Sequence, residues 1–207
     1  MIKLNNEVRE FCKLQRTVSN EKKYSDDQYD MLYNEGINKD VDEIKPFMFN
    51  KENLNICDIG CGVGSIDILL YKNFDVNHLT LIDKNGTSNT IYYGFKNDAA
   101  FYNDMILTKT LLNENGVPLN VVDVVDVNKD TLPFNEKYDV IISLLSLSFH
   151  YPYLTYSEFI KKTLKPDGIL ILDVRDNTTE ISKILNDFKK CEIIKQKEKS
   201  KRMIFYN

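Results

Sequence analysis

The sequence predicts an α/β fold built on a mainly parallel sheet, and three observations carry that expectation. From Asn55 onward, short apolar runs alternate with helical stretches. The first run leads into a glycine-rich turn, Asp58-Ile59-Gly60-Cys61-Gly62-Val63-Gly64, and later runs end on carboxylates at Asp83 and Asp126. Alternation of this kind belongs to sheets whose connections are helices, and such sheets bind ligands beyond the C-terminal ends of their strands.

In order along the chain, the first fifty residues are polar and aromatic, with Tyr24, Tyr29 and Tyr33 near helical spacing. They read as a helical segment or lid (1–50) of the same domain as the main fold (51–207), with Pro46 punctuating the approach. Strands are expected at 55–59, 79–82, 120–125, 140–144 and 169–173, with a terminal pair near 192–196 and 202–206. Between them, helices are expected at 64–72, 99–115, 156–164 and 179–189, set off by Gly116, Pro118 and the turn Lys165-Pro166-Asp167-Gly168. The last two strands, split by Lys197-Glu198-Lys199-Ser200-Lys201, predict a hairpin that adds antiparallel pairing, with the lysine run as a solvated turn.

A chain of 207 residues has room for one domain with a substantial core. Its 43% hydrophobic and 28% charged residues are those of a soluble globular protein. No apolar run approaches the roughly 20 residues that span a bilayer, and the charged N-terminus has no apolar signal core, so a cytoplasmic location is expected. A net charge of −4 disfavours a nucleic-acid partner and favours a small molecule. Cys12, Cys57, Cys61 and Cys191 form no CxxC pair and read as free thiols. The sequence carries no signal for oligomeric state.

Glycines at alternate positions of the turn let the backbone bend tightly and let a ligand approach main-chain atoms. A dinucleotide turn of the G-x-G-x-x-G/A kind would place its third small residue at Ser65, whereas the third glycine here is Gly64. Asp58, just before the first glycine, would repel a pyrophosphate and attract an amino group. Both features point away from a phosphate ligand.

Asp58-x-Gly60-x-Gly62-x-Gly64 resembles motif I of class I S-adenosylmethionine-dependent methyltransferases, and the resemblance extends across residues 55–175 in the expected order. It implies a Rossmann-like three-layer sandwich with a mostly parallel seven-stranded sheet and a C-terminal antiparallel hairpin. It also implies S-adenosyl-L-methionine as cofactor and S-adenosyl-L-homocysteine as product. By position, Gly60, Gly62 and Gly64 would lie against the methionine part and ribose, and Asp58 would help to hold the amino end. Asp83, followed by Lys84, ends the second strand, where its two oxygens can accept from both ribose hydroxyls. Asp126, with the backbone at Val127, takes the adenine position; Asp123, three residues earlier, competes for it. Ser143 ends the fourth strand, on the cofactor side.

The stretch Ser143-Leu144-Leu145-Ser146-Leu147-Ser148-Phe149-His150-Tyr151-Pro152-Tyr153 follows that strand. It lacks the Asn/Asp-Pro-Pro-aromatic motif of nucleic-acid amino methyltransferases, which argues against base amines as acceptors. His150 is the candidate base, since an imidazole titrates near working pH, with packing beneath the site as its alternative. Ser146 and Tyr151 beside it, Tyr93 and Tyr102 in the aromatic stretch after the second strand, and Tyr24 and Tyr29 in the N-terminal segment are candidate substrate contacts; the tyrosines serve equally well as core. No metal-ligand spacing appears near this loop. Methyl transfer asks little of side chains, because alignment alone can supply roughly 7–11 kcal/mol of the barrier. The expected reaction is methylation of a small-molecule or saccharide-like hydroxyl or amine. A nicotinamide-dependent oxidoreductase and a non-catalytic cofactor-binding partner subunit are the alternatives.

Overall fold

The computed structural model describes residues 1–14, 23–48, 51–86, 103–176 and 179–207. Elements are numbered among these residues. The strands are β1 (Leu54–Ile59), β2 (Val76–Asp83), β3 (Val122–Asp126), β4 (Tyr138–Ser143), β5 (Leu164–Arg175), β6 (Lys190–Gln196) and β7 (Ser200–Tyr206). The helices are α1 (Asn6–Leu14), α2 (Asp26–Ile44), α3 (Ser65–Asn73), α4 (Met105–Glu114), α5 (Ser157–Thr163) and α6 (Glu180–Leu185).

All seven strands join one sheet in the order β3-β2-β1-β4-β5-β7-β6. The first five pair in parallel, and β7 pairs antiparallel with both β5 and β6. The sheet is thus Rossmann-like and mostly parallel, with the C-terminal antiparallel hairpin. The chain runs outward from β1 through β2 to β3, then returns to the other side of β1 as β4. A crevice for a ligand therefore opens at the C-terminal ends of β1 and β4.

Alternation along the strands divides the apolar core between the two faces of the sheet. Leu54, Ile56, Leu79, Leu81, Val140 and Ile142 pack on the face that also buries side chains of α1 to α4. Cys57, Ile59, Ile82, Ile141, Leu170 and Leu172 pack on the opposite face with α5 and α6. Asp58, in phase with Ile56, is thereby aimed at the α2–α3 layer.

The N-terminal helices are docked along that layer. A capping box between Ser25 and Gln28 starts α2. Arg9 of α1 grips Asp30 through two hydrogen bonds of 2.7 and 2.8 Å. Tyr29 and Tyr33 stack 6.1 Å apart and are buried. At the far end of α2, fully buried Arg202 of β7 binds Asp40, Glu43 and Asp173, at 2.7 Å from the Asp40 carboxylate.

Several elements depart from the sequence reading: α6 ends at Leu185 where a helix to 189 is expected, and β2 begins at Val76, three residues before the expected start. The turn expected at Lys165–Gly168 lies inside β5, where Tyr138 pairs with Leu164 and Val140 with Ile169; the extra residues form an irregularity in the ladder. The helix expected over 99–115 is described from Met105, capped by Asp104 accepting from the Ile106 N–H at 2.9 Å; residues 99–102 lie outside the described residues. The lysine run does turn the chain, with the Lys197 N–H bonded to the Ser200 carbonyl at 2.9 Å. It is only partly solvated, however, since Lys197 reaches Asp173 and Lys201 reaches Asp176.

Candidate active site

The glycine turn sits at the switch between β1 and β4, and neighbouring elements pin it from three sides. The Gly60 N–H donates to the Ile82 carbonyl at 2.7 Å, the Gly62 N–H to Asp83 Oδ2 at 2.8 Å, and the Thr108 hydroxyl of α4 to the Gly62 carbonyl at 2.8 Å. Gly60, Gly62 and Gly64 all have positive φ, where a Cβ is strained. A Cβ at Gly60 would lie 1.8 Å from Ser146 Oγ, so the segment after β4 rests directly on this glycine. At Gly62 a Cβ would meet nothing within 4 Å, leaving the Cα side of the turn open.

The carboxylates after the turn occupy distinct places. Asp83 and Asp126 are paired across β2 and β3, side by side at the C-terminal edge. Asp83 accepts from the Gly62 N–H and, at 2.7 Å, from the Lys84 N–H. Burial pushes its acid up to about 6 against those two hydrogen bonds. Lys84 itself is exposed. Burial also works upward on Asp126, but the N–H groups of Asn128 and Asn85, together with Lys129, bring it below the usual carboxylate range. Val127 continues the edge, its N–H on the Asp83 carbonyl at 3.0 Å. Asp123 lies back along β3 and pairs with His78 at 3.0 Å, away from the crevice edge.

Asp58 is 3% exposed and its Oδ1 has no hydrogen-bond partner. It faces Asp67 of α3, which is fully buried with neither carboxylate oxygen partnered. Asp67 escaped the sequence reading. Its signal was a lone acid inside the apolar run Ile66-Asp67-Ile68-Leu69-Leu70, at a helical position turned inward. Tyr33 and Thr108 were likewise missed as supports of the turn: Tyr33 Oη lies 2.5 Å from Ser65 Oγ, at the start of α3.

After β4 the backbone takes left-handed conformations at Leu145 and Ser148, with φ of 56° and 62°. Ser143 ends β4 with its hydroxyl donating to the Ile59 carbonyl at 2.5 Å and accepting from the Leu147 N–H at 2.9 Å. It therefore ties the two strand ends together beneath the crevice. Ser146 Oγ and Tyr151 Oη lie 2.8 Å apart, and the Tyr151 ring packs against Tyr156. His150 is half-buried, its backbone N–H on the Ser146 carbonyl at 2.7 Å. Burial, with Arg175 nearby, lowers its pKa below the ordinary value and keeps the imidazole neutral at pH 7. Arg175 is held by the Phe149 carbonyl at 2.7 Å and by the Phe149 ring.

The tyrosines do not gather in one place. Tyr151 is at the crevice, Tyr29 is in the α1–α2 core, and Tyr24 is at the surface before α2. Tyr93 and Tyr102 lie outside the described residues. Among the described residues no three His, Cys, Asp or Glu side chains converge as metal ligands, and no helix is long and apolar enough to cross a membrane.

The family model described as a methyltransferase domain matches residues 33–201. No curated protein matches the chain by sequence. Among solved structures, StiE O-MT is similar at a TM-score of 0.60 and 15% identity, covering 92% of this chain and 79% of that one. The precorrin-6y C5,15-methyltransferase of Geobacter metallireducens GS-15 gives a TM-score of 0.56 at 14% identity over 83% and 87% of the two chains. A methyltransferase from Pyrococcus furiosus gives 0.55 at 16% identity over 83% and 82%. These identities speak to the fold, while the family match spans most of the chain and includes the glycine turn, Asp83, Asp126 and the segment after β4. The chain belongs to the methyltransferase-domain family, in its class I, Rossmann-like group.

Proposed function

We propose that the protein is an S-adenosylmethionine-dependent methyltransferase acting on a hydroxyl or amine of a small molecule. The observation that carries this reading is the buried Asp58 carboxylate, whose Oδ1 has no hydrogen-bond partner, beside a glycine turn with open space at the Gly62 Cα. A buried carboxylate oxygen without a donor is costly, and a primary ammonium is the donor that suits it. The residues present therefore fit the cofactor. Asp58 would hold its amino end, Asp83 its ribose hydroxyls, and Asp126 with Val127 its adenine. S-adenosylmethionine supplies a methyl group already activated on a sulfonium.

What remains for the protein is to align an acceptor and take its proton. His150, kept neutral by burial and by Arg175, is suited to take that proton. Ser146 and Tyr151 carry hydroxyls beside the glycine turn that can orient a polar acceptor, and exposed Leu145 supplies an apolar contact. The four free thiols suit a reducing, cytoplasmic setting. Calorimetric titration with S-adenosylhomocysteine should give saturable binding, and release of that product in the presence of a metabolite mixture should identify the acceptor. Absence of binding at high protein concentration overturns the assignment.

A further inference from the structure

Asp67 has no place in the function so far, yet its situation is unusual. It projects from the first turn of α3 toward the sheet, is fully buried, and has both carboxylate oxygens unpartnered. Its neighbour is the side chain of Asp58, whose own sealed oxygen is also unpartnered. The other titratable groups around the pair are Asp83 at the end of β2, Cys57 of β1 and Cys61 of the turn, with Tyr151 from the segment after β4. None of these supplies a positive charge. Two carboxylates forced together away from water cannot both stay ionised, and a proton held between them satisfies one oxygen of each.

We propose that Asp58 and Asp67 form a two-carboxylate seat for a primary ammonium group, sharing one proton when the seat is empty and releasing it when the ammonium binds. The inference rests on the cofactor reading above and adds Asp67 to it. Asp58 stands at the C-terminal end of β1 with 3% of its surface exposed, whereas Asp67 is fully buried, so Asp67 acts through Asp58 as a positioning residue. The proton passes to solvent as an N–H of the ammonium takes over as donor to Asp58, and no bond to carbon forms or breaks. Burial pushes both acids upward, Asp67 to about 7, and the charges of Asp67 and Asp83 push Asp58 further, so the seat holds its proton in the neutral range. A cation that favours the ionised pair must then bind more tightly as pH rises through that range, by up to about tenfold per unit for one proton released.

The test is titration calorimetry of the intact protein with S-adenosylhomocysteine at pH 7, in phosphate and in Tris, whose ionisation heats differ. The dependence of the observed heat on buffer counts protons released. We expect release approaching one proton with S-adenosylhomocysteine and none with 5′-methylthioadenosine, which lacks the amino-acid end. Asp67→Asn, whose amide can donate to Asp58 in place of the shared proton, should bind S-adenosylhomocysteine with the release abolished and the pH dependence flattened. Equal heats in the two buffers, or equal release with both ligands, would overturn the two-carboxylate seat while leaving the cofactor assignment standing. Failure of S-adenosylhomocysteine to bind at all would overturn both. The two-ligand comparison on the unaltered protein decides the matter even if the variant does not fold.

Discussion

Gly60→Ala probes the contact on which the crevice is built. Two costs add. At φ +80° an alanine adopts a left-handed conformation, a penalty of about 1–2 kcal/mol. Its Cβ would also fall 1.8 Å from Ser146 Oγ and 2.4 Å from Ser146 Cβ. Ser146 is short, buried and bracketed by left-handed Leu145 and Ser148, so the clash cannot be relieved by turning a flexible chain end. Overpacking of this kind costs about 1–3 kcal/mol. The expected loss is therefore about 2–5 kcal/mol, read as a shift of the urea midpoint at unchanged slope, with weakened binding of S-adenosylhomocysteine. The second site separates the two costs. Ser146→Gly in the Gly60→Ala background removes both clashing atoms and should recover about 1–3 kcal/mol as coupling. Ser146→Ala, which keeps the Cβ at 2.4 Å, should recover little. If Gly60→Ala unfolds within about 1 kcal/mol of the unaltered protein, or if it and Ser146→Gly are simply additive, the packing of this segment on the glycine turn is not what holds the crevice.

Three further outcomes are expected. Asp67 has a folded-state acid raised from 3.8 to about 7 by burial, so the native state binds more protons than the unfolded chain between those values and loses stability as pH rises through them. Asp67→Asn should accordingly be more stable than the unaltered protein at pH 8, by at most about 4 kcal/mol, with the difference vanishing near pH 3.5; equal stability at both pH values would refute the buried-acid argument. Arg202→Met removes the buried cation from Asp173, leaving only part-exposed Lys197 at 3.3 Å, and should cost about 3–5 kcal/mol in chemical denaturation, while a loss under about 1 kcal/mol would show that the ion network does not hold α2 to the sheet. His150→Ala should lower kcat by about a hundredfold or more once the acceptor is known, and the unaltered enzyme should keep its activity down to a limb below pH 6.5, because a neutral base is lost only as pH falls through its lowered pKa; a variant with full kcat would make His150 a packing residue.

The frame of this protein was open to reading along the chain because it depends on local patterns. Apolar runs at strand length marked β1 to β4, a glycine turn after the first and carboxylates ending the second and third marked the ligand edge, and the resemblance to class I methyltransferases implied the Rossmann-like order. The bulged start of β5 was not legible, since Lys165-Pro166-Asp167-Gly168 reads as a turn and only pairing with Tyr138 and Val140 draws it into the sheet. The choice between Asp126 and Asp123 for the crevice edge was likewise beyond a one-dimensional reading. It depends on register, and the ladder sets Asp126 beside Asp83 while Asp123 pairs with His78.

By itself, then, the sequence determined the fold class, the position of the glycine turn and the carboxylates Asp58, Asp83 and Asp126 at the ends of the first three strands, because these follow from periodicity and backbone conformation. Only the tertiary structure brought Asp67 onto Asp58, Ser146 onto Gly60 and Arg202 onto α2. Those contacts join residues on different elements, and their chemistry comes from burial: a carboxylate with no donor, a glycine with no room for a methyl group and a guanidinium with no water are properties of the packed molecule.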